Sequence, residues 1–93
     1  MFQGKVVLIT GGTGSLGQAL TRRLLKNGVK TIRIFSRNEN KQIEMESEFH
    51  DDRLRFLLGD IRDKERLVRA TEGVDIVFHA AALKHVPKIE YNP

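Results

Sequence analysis

The chain has no cysteine, no tryptophan and a single tyrosine among its 93 residues. Without cysteine there is no disulfide framework and no thiolate metal site. The three histidines, His50, His79 and His85, lack ligand spacing, so no metal is expected. Its uninterrupted apolar runs reach only four residues, far short of a membrane span, and no signal-peptide pattern precedes the first of them. A cytoplasmic protein without membrane contact is expected. Scarce aromatics also weigh against nucleic acid as a partner, because there is little to stack on bases. The net charge of +4 and pI of about 9.8 raise that question. The charges are segregated, however: Arg22, Arg23, Lys26, Lys30, Arg33 and Arg37 come without an intervening acid, and an acidic stretch from Glu39 to Asp52 follows. This basic run reads as a solvated surface.

What the chain does have is glycine in one place. Lys5 to Gly17, KVVLITGGTGSLG, is a short apolar run that breaks into Gly11, Gly12, Gly14 and Gly17 and then opens a helical pattern. Val6 to Ile9 suits a central strand buried on both faces of a parallel sheet. Glycines that follow such a strand let the backbone turn sharply and approach a pyrophosphate, and they let the next helix pack closely on the sheet. A helix starting near Gly14 or Ser15 points its free N–H groups and positive dipole end at the same spot. Gly12, Gly14 and Gly17 match G-x-G-x-x-G, and Gly11, Gly14 and Gly17 match the G-x-x-G-x-x-G spacing of short-chain dehydrogenases. The alternative is a plain strand–turn–helix without a ligand.

The rest of the pattern repeats strand and helix. Leu16, Ala19, Leu20 and Leu24 form an apolar stripe with Gln18, Arg22 and Lys26 turned outward, and Asn27–Gly28 stops the helix. Thr31–Phe35 is a second strand, parallel to the first because a crossover helix separates them. Asn40–Phe49 is a second helix with Ile43, Met45 and Phe49 for its buried side. Leu54–Leu58 is a third strand, Lys64–Thr71 a third helix ended by Glu72–Gly73, and Ile76–Ala80 a fourth strand. The expected fold class is α/β: a Rossmann-type parallel sheet with helices on both faces and four strands in the order 3-2-1-4. Two mononucleotide-binding halves make a complete dinucleotide-binding domain, so residues 1–93 are expected to be an incomplete one.

Cofactor choice is read at the end of the second strand. An acid about twenty residues past the fingerprint serves the ribose of NAD, whereas an arginine there accommodates the 2′-phosphate of NADP. The twentieth residue after Gly17 is Arg37, preceded by Ser36 and followed one turn later by Lys41. A hydroxyl and two cations there favour NADP. Alternatively Ser36 caps the second helix in a box with Glu39, and the cations are solvated. After the third strand, Asp60 and the next backbone group, at Ile61, can reach the adenine edge, unless Asp60 or Asp63 only caps the third helix. Ala80, Ala81 and Ala82 leave room for the cofactor's ribose and nicotinamide, or pack tightly against the first helix. His79 reads as a satisfied core histidine. Lys84 and His85 stand equally well for a site and a solvated loop.

With LITGGTGSLG, FSRNENKQ, RFLLGDIRD and GVDIVFHAAALKHVP followed by EYNP, the chain resembles the UDP-N-acetylglucosamine 4,6-dehydratases of the extended short-chain dehydrogenase/reductase class, particularly the 5-inverting type of surface-polysaccharide synthesis. Leu16 stands where that family usually has Phe, and Asn38 where it usually has Asp. The resemblance implies that Thr13, Gly14, Ser15 and Leu16 hold the pyrophosphate and that Ser36, Arg37 and Lys41 hold the 2′-phosphate. It implies Asp60 and Ile61 at the adenine, and Ala80 with Lys84 on the nicotinamide side, Lys84 also facing a UDP-sugar. The implied reaction oxidises the sugar at C4, eliminates water across C5 and C6, and reduces C6, in an enzyme that tends to form homo-oligomers. The family's proton-transfer residues fall beyond the fifth strand. No catalytic residue is therefore expected in this chain, which alone should not turn over, and Tyr91 reads as a packing or loop residue.

Overall fold

A computed structural model of the chain describes residues 1–80. In chain order its elements are β1 (Val6–Thr10), α1 (Ser15–Lys26), β2 (Thr31–Ser36), α2 (Glu39–Phe49), β3 (Leu54–Leu58), α3 (Lys64–Ala70) and β4 (Ile76–His79). The strands form one parallel sheet in the order β3-β2-β1-β4, as the apolar runs and crossovers predict. β1 is central: Val7, Leu8 and Ile9 are fully buried between β2 and β4. Each such side chain contributes about 1.5–3 kcal/mol of transfer free energy.

Strand alternation divides the core between the two faces. Val7, Ile9, Ile32 and Ile34 meet Leu24 of α1 and Met45 of α2 on one face. Leu8 and Phe35 meet Ala70 of α3 on the other, with Leu57, Leu67 and Val74 packed around them. Parallel strands place all their carboxyl ends at one edge of the sheet, and the turns after β1, β2 and β3 gather there.

Three helix and strand faces differ from the expected ones. α1 buries Gly17, Thr21 and Leu24, whereas Ala19 is exposed and Leu16 is 40% exposed. The helix is docked through glycine: a Cβ on Gly17 would lie 2.5 Å from the Cα and carbonyl oxygen of Gly12. That backbone contact fixes the rotation of α1 and carries Leu16 out to the rim. Thr21 fits the interface because its hydroxyl donates to Gly17 O at 2.8 Å. On α2 the buried residues are Gln42 and Met45, with Phe49 half-buried and Ile43 57% exposed. Gln42, Met45 and Phe49 have the i, i+3, i+7 spacing of one helix face; Ile43 does not. Finally, His79 is exposed rather than in the core, because β4 is an edge strand of the described sheet; its Nδ1 lies 2.9 Å from the hydroxyl of the buried Thr10.

Candidate functional site

Short backbone bonds tie the carboxyl ends of three strands together. Gly11 N–H donates to Phe35 O at 2.8 Å and Gly59 N–H to Ser36 O at 2.9 Å, so the turns after β1 and β3 both hang on the end of β2. Gly11 takes φ +69°, the left-handed conformation that glycine adopts without steric cost. The chain then passes Gly12 and Thr13, both buried, and enters α1 at Gly14. Gln18, expected to point outward, is half-buried and donates from Nε2 to Thr13 O at 2.9 Å, bracing the turn. No side chain caps α1 and no acid lies in its first turn. Its first N–H groups therefore face the turn with the helix dipole behind them, an arrangement suited to an anion.

The two neighbouring helices are capped from within. Asn38 Oδ1 accepts from Lys41 N–H at 3.0 Å, so Asn38 caps α2, not Ser36. The side chain of Ser36 is engaged elsewhere: Gln42, buried beneath it, donates from Nε2 to Ser36 Oγ at 3.0 Å and to Leu57 O at 2.9 Å. With its oxygen accepting from Gln42, the Ser36 hydroxyl retains its own proton to donate. Asp63 Oδ1 accepts from Arg66 N–H at 3.3 Å and caps α3, which leaves Asp60 free of that duty.

Asp60 is bound instead by Arg62, through Nη2 to Oδ2 at 2.7 Å and through the backbone N–H to Oδ1 at 2.9 Å. Arg37 Nη1 lies 3.6 Å from the same Oδ2. The carboxyl is held well below the ordinary carboxylate range, first by the side-chain bond from Arg62 and then by its backbone N–H, with Arg37 adding a smaller pull.

These groups border a cleft of about 900 Å³. It brings together six residues singled out in the sequence: Gly11, Thr13, Ser36, Arg37, Asp60 and Ile61. Asn38, Glu39 and Arg62 join them. Gly14, Ser15, Leu16 and Gly17 lie at the start of α1, and Lys41 is exposed on the first turn of α2. Ala80 is almost fully buried in the core cluster with Ile9 and Leu24. This placement corresponds to the tight-packing alternative for that residue. Ala82, Lys84, His85 and Tyr91 lie outside the described residues. No helix among the described residues is long and apolar enough to cross a membrane. No described side-chain N or O atom is buried without a hydrogen-bond partner.

Gln18, Asn38, Gln42 and Arg62 escaped sequence reading as site residues. For Gln42 the signal was present: a polar residue on a helical stripe that contains Met45 and Phe49. The Arg62–Asp60 pair has no periodic signature, since it is made across two residues of a loop.

The profile of the polysaccharide biosynthesis protein family matches residues 7–93. The chain belongs to that family. The UDP-N-acetylglucosamine 4,6-dehydratase (inverting) of Campylobacter jejuni serotype O:23/36 is 56% identical over 94 aligned positions, covering 100% of this chain and 28% of that protein. The UDP-glucose 4-epimerase of Rickettsia conorii is 50% identical, also over 100% of this chain and 28% of its own length. Pen from Bacillus thuringiensis, solved by X-ray, superposes with a TM-score of 0.84 at 45% identity over 91% of this chain and 28% of its own. The chain thus spans 28% of the length of these relatives.

Proposed function

We propose that the chain is the NADP-binding portion of a nucleotide-sugar 4,6-dehydratase, a lyase acting on a UDP-sugar. One observation carries the cofactor reading: the glycine turn that leads into the uncapped α1, through Gly11 and Thr13, borders a common cleft with the Ser36–Arg37 pair, with a cation where an acid would serve the ribose of NAD. The donor set fits the cofactor. N–H groups at the glycine turn suit a pyrophosphate, and a hydroxyl that keeps its proton beside a guanidinium suits a 2′-phosphate. The cleft volume also lies in the range of about 300–1,000 Å³ common to ligand sites.

In this reading Thr13, Gly14, Ser15 and Leu16 receive the pyrophosphate, while Ser36, Arg37 and Lys41 receive the 2′-phosphate. Asp60 and the Ile61 backbone orient the adenine. Ala82 and Lys84 are assigned to the nicotinamide side, Lys84 also to the sugar nucleotide, while Ala80 packs in the core instead. When bound, the nicotinamide supplies the redox chemistry. This chain's residues bind and orient the cofactor, and residues elsewhere in the protein move the protons. The identity to an inverting UDP-N-acetylglucosamine 4,6-dehydratase supports that substrate class. The similarity to a UDP-glucose 4-epimerase supports a second reading, epimerisation at the same cofactor site. The protein is further proposed to be a cytoplasmic homo-oligomer.

Mass spectrometry of the whole protein's reaction with UDP-N-acetylglucosamine separates the readings. A product lighter by one water supports the dehydratase; a product of unchanged mass in a different configuration supports the epimerase. Fluorescence titration with NADPH and NADH tests the cofactor, with Arg37→Ala as the control. NADPH is expected to bind more tightly, and the variant to lose that preference. Equal binding of both by the parent protein would overturn the roles given to Ser36, Arg37 and Lys41.

A further inference from the structure

The charges bordering the cleft balance one another: Arg37 and Arg62 against Glu39 and Asp60. Their arrangement is uneven. Arg62 takes both carboxylate oxygens of Asp60, with Nη2 on Oδ2 at 2.7 Å and Nε on Oδ1 at 3.1 Å, while Arg37 stands 3.6 Å from Oδ2. The Asp60 side chain is 29% exposed, against 71% for Arg37 and 79% for Arg62. Asp60 is the fixed member of the trio, and the two arginines compete for it.

We propose, resting on the reading of this cleft as an NADP site, that Arg62 is a positioning residue that sets cofactor selectivity: by occupying Asp60 it leaves the Arg37 guanidinium available to the 2′-phosphate. Removing Arg62 has two consequences. Asp60 draws Arg37 across the remaining gap into a bidentate pair, the preferred geometry of guanidinium and carboxylate. The carboxylate also becomes an unneutralised negative charge beside a phosphate that itself carries about −1.5 to −2. Both effects oppose a 2′-phosphate, and neither opposes the 2′-hydroxyl of NAD. Because the arginines are exposed, the effect is that of a screened surface pair, largest at low ionic strength.

The test is the ratio of NADPH to NADH affinity, measured by fluorescence titration of the whole protein with Arg62→Gln, Asp60→Asn and the double variant. Arg62→Gln is expected to lower the ratio about fivefold at low salt, a surface-pair effect of this size, through NADPH alone and less at high salt. Asp60→Asn is expected to raise the ratio, and adding Arg62→Gln to it should change the ratio no further. A loss of both cofactors in equal measure would overturn the proposal and assign Arg62 to loop structure. An undiminished effect in the Asp60→Asn background would also overturn it, since Arg62 would then act on the phosphate directly. Should Arg62→Gln fail to fold by circular dichroism, Asp60→Asn decides alone, and an unchanged or lowered ratio refutes the proposal. Loss of the parent protein's NADPH preference, or its retention in Arg37→Ala, identifies failure of the underlying cofactor reading instead.

Discussion

Gly17→Ala sets two rules against each other. Gly17 is the third residue of α1, and alanine is favoured over glycine in a helix interior by about 1 kcal/mol. Propensity alone predicts stabilisation. The packing predicts the reverse, because the new Cβ would stand 2.5 Å from Gly12 Cα and O and 2.6 Å from Gly12 C. Carbon atoms in contact prefer about 3.5–4.0 Å, so α1 must retreat by about 1 Å. No rotamer change can absorb this, since the opposing atoms are backbone. Nor can Gly12 retreat easily, because even a Cβ of its own would meet Ile34 Cγ2 at 2.8 Å. The retreat also loosens Thr21 and Leu24, buried further along the same face. Overpacking of this kind costs about 1–3 kcal/mol, so after the propensity gain the net destabilisation is about 1 kcal/mol and at most about 2, which lowers the folded-to-unfolded ratio about fivefold and at most about thirtyfold. Urea denaturation followed by circular dichroism measures it. Ala19→Gly, on the exposed side of the same helix, calibrates propensity at a loss of about 1 kcal/mol. A Gly17→Ala protein as stable as the parent or more so would refute the glycine-docked account of α1.

Three further expectations follow from polar groups. Gln42→Leu removes both bonds from the buried amide to Ser36 Oγ and Leu57 O; it should cost about 1–3 kcal/mol in denaturant unfolding and weaken NADPH more than NADH in titration. Asn38→Ala deletes the cap of α2 and should cost about 1 kcal/mol by the same unfolding assay, whereas Asn38→Asp should keep the cap and add a favourable dipole contact of about 0.3–1 kcal/mol. Asp51 is held below its usual value of 3.8, chiefly by the side-chain bond from Arg53, which also donates to Leu25 O at the end of α1. A depressed carboxylate adds stability above its unfolded value and loses it as pH falls through the folded one. Unfolding measured against pH should therefore show this contribution intact at neutral pH and declining below 3.8, and Asp51→Asn should flatten that part of the profile.

The elements and their order could be read from the chain because their signals are local. Four apolar residues followed by glycines make a central strand and turn whatever surrounds them, and the crossover helices then compel parallel pairing. Helix rotation was not legible in the same way. Gly17, Thr21 and Gln42 are buried for reasons that hydrophobicity does not record: close backbone approach, a hydroxyl returned to the preceding turn, and an amide bridging two strands. The site shows the same division. Arg37 could be found by counting from the glycines. The competition for Asp60 could not, because it depends on how a loop after β3 folds beside a loop after β2.

Among the described residues every strand pairing spans an intervening helix, from Val6 with Thr31 to Val7 with Ile76, and no two neighbouring strands form a hairpin. A sheet of this kind closes its loops before any strand is rewarded, so its contact order is high and its folding comparatively slow. Gly11, Ser36 and Asp60 meet only when β1, β2 and β3 are already in register. A newly synthesised chain therefore gains its cleft late, and a ligand that fills it selects the assembled sheet over every partial one. At about a hundred times its dissociation constant such a ligand adds about 2.7 kcal/mol to the native state. Under the proposed cofactor reading, the cell's pool of that cofactor then acts on the amount of folded protein.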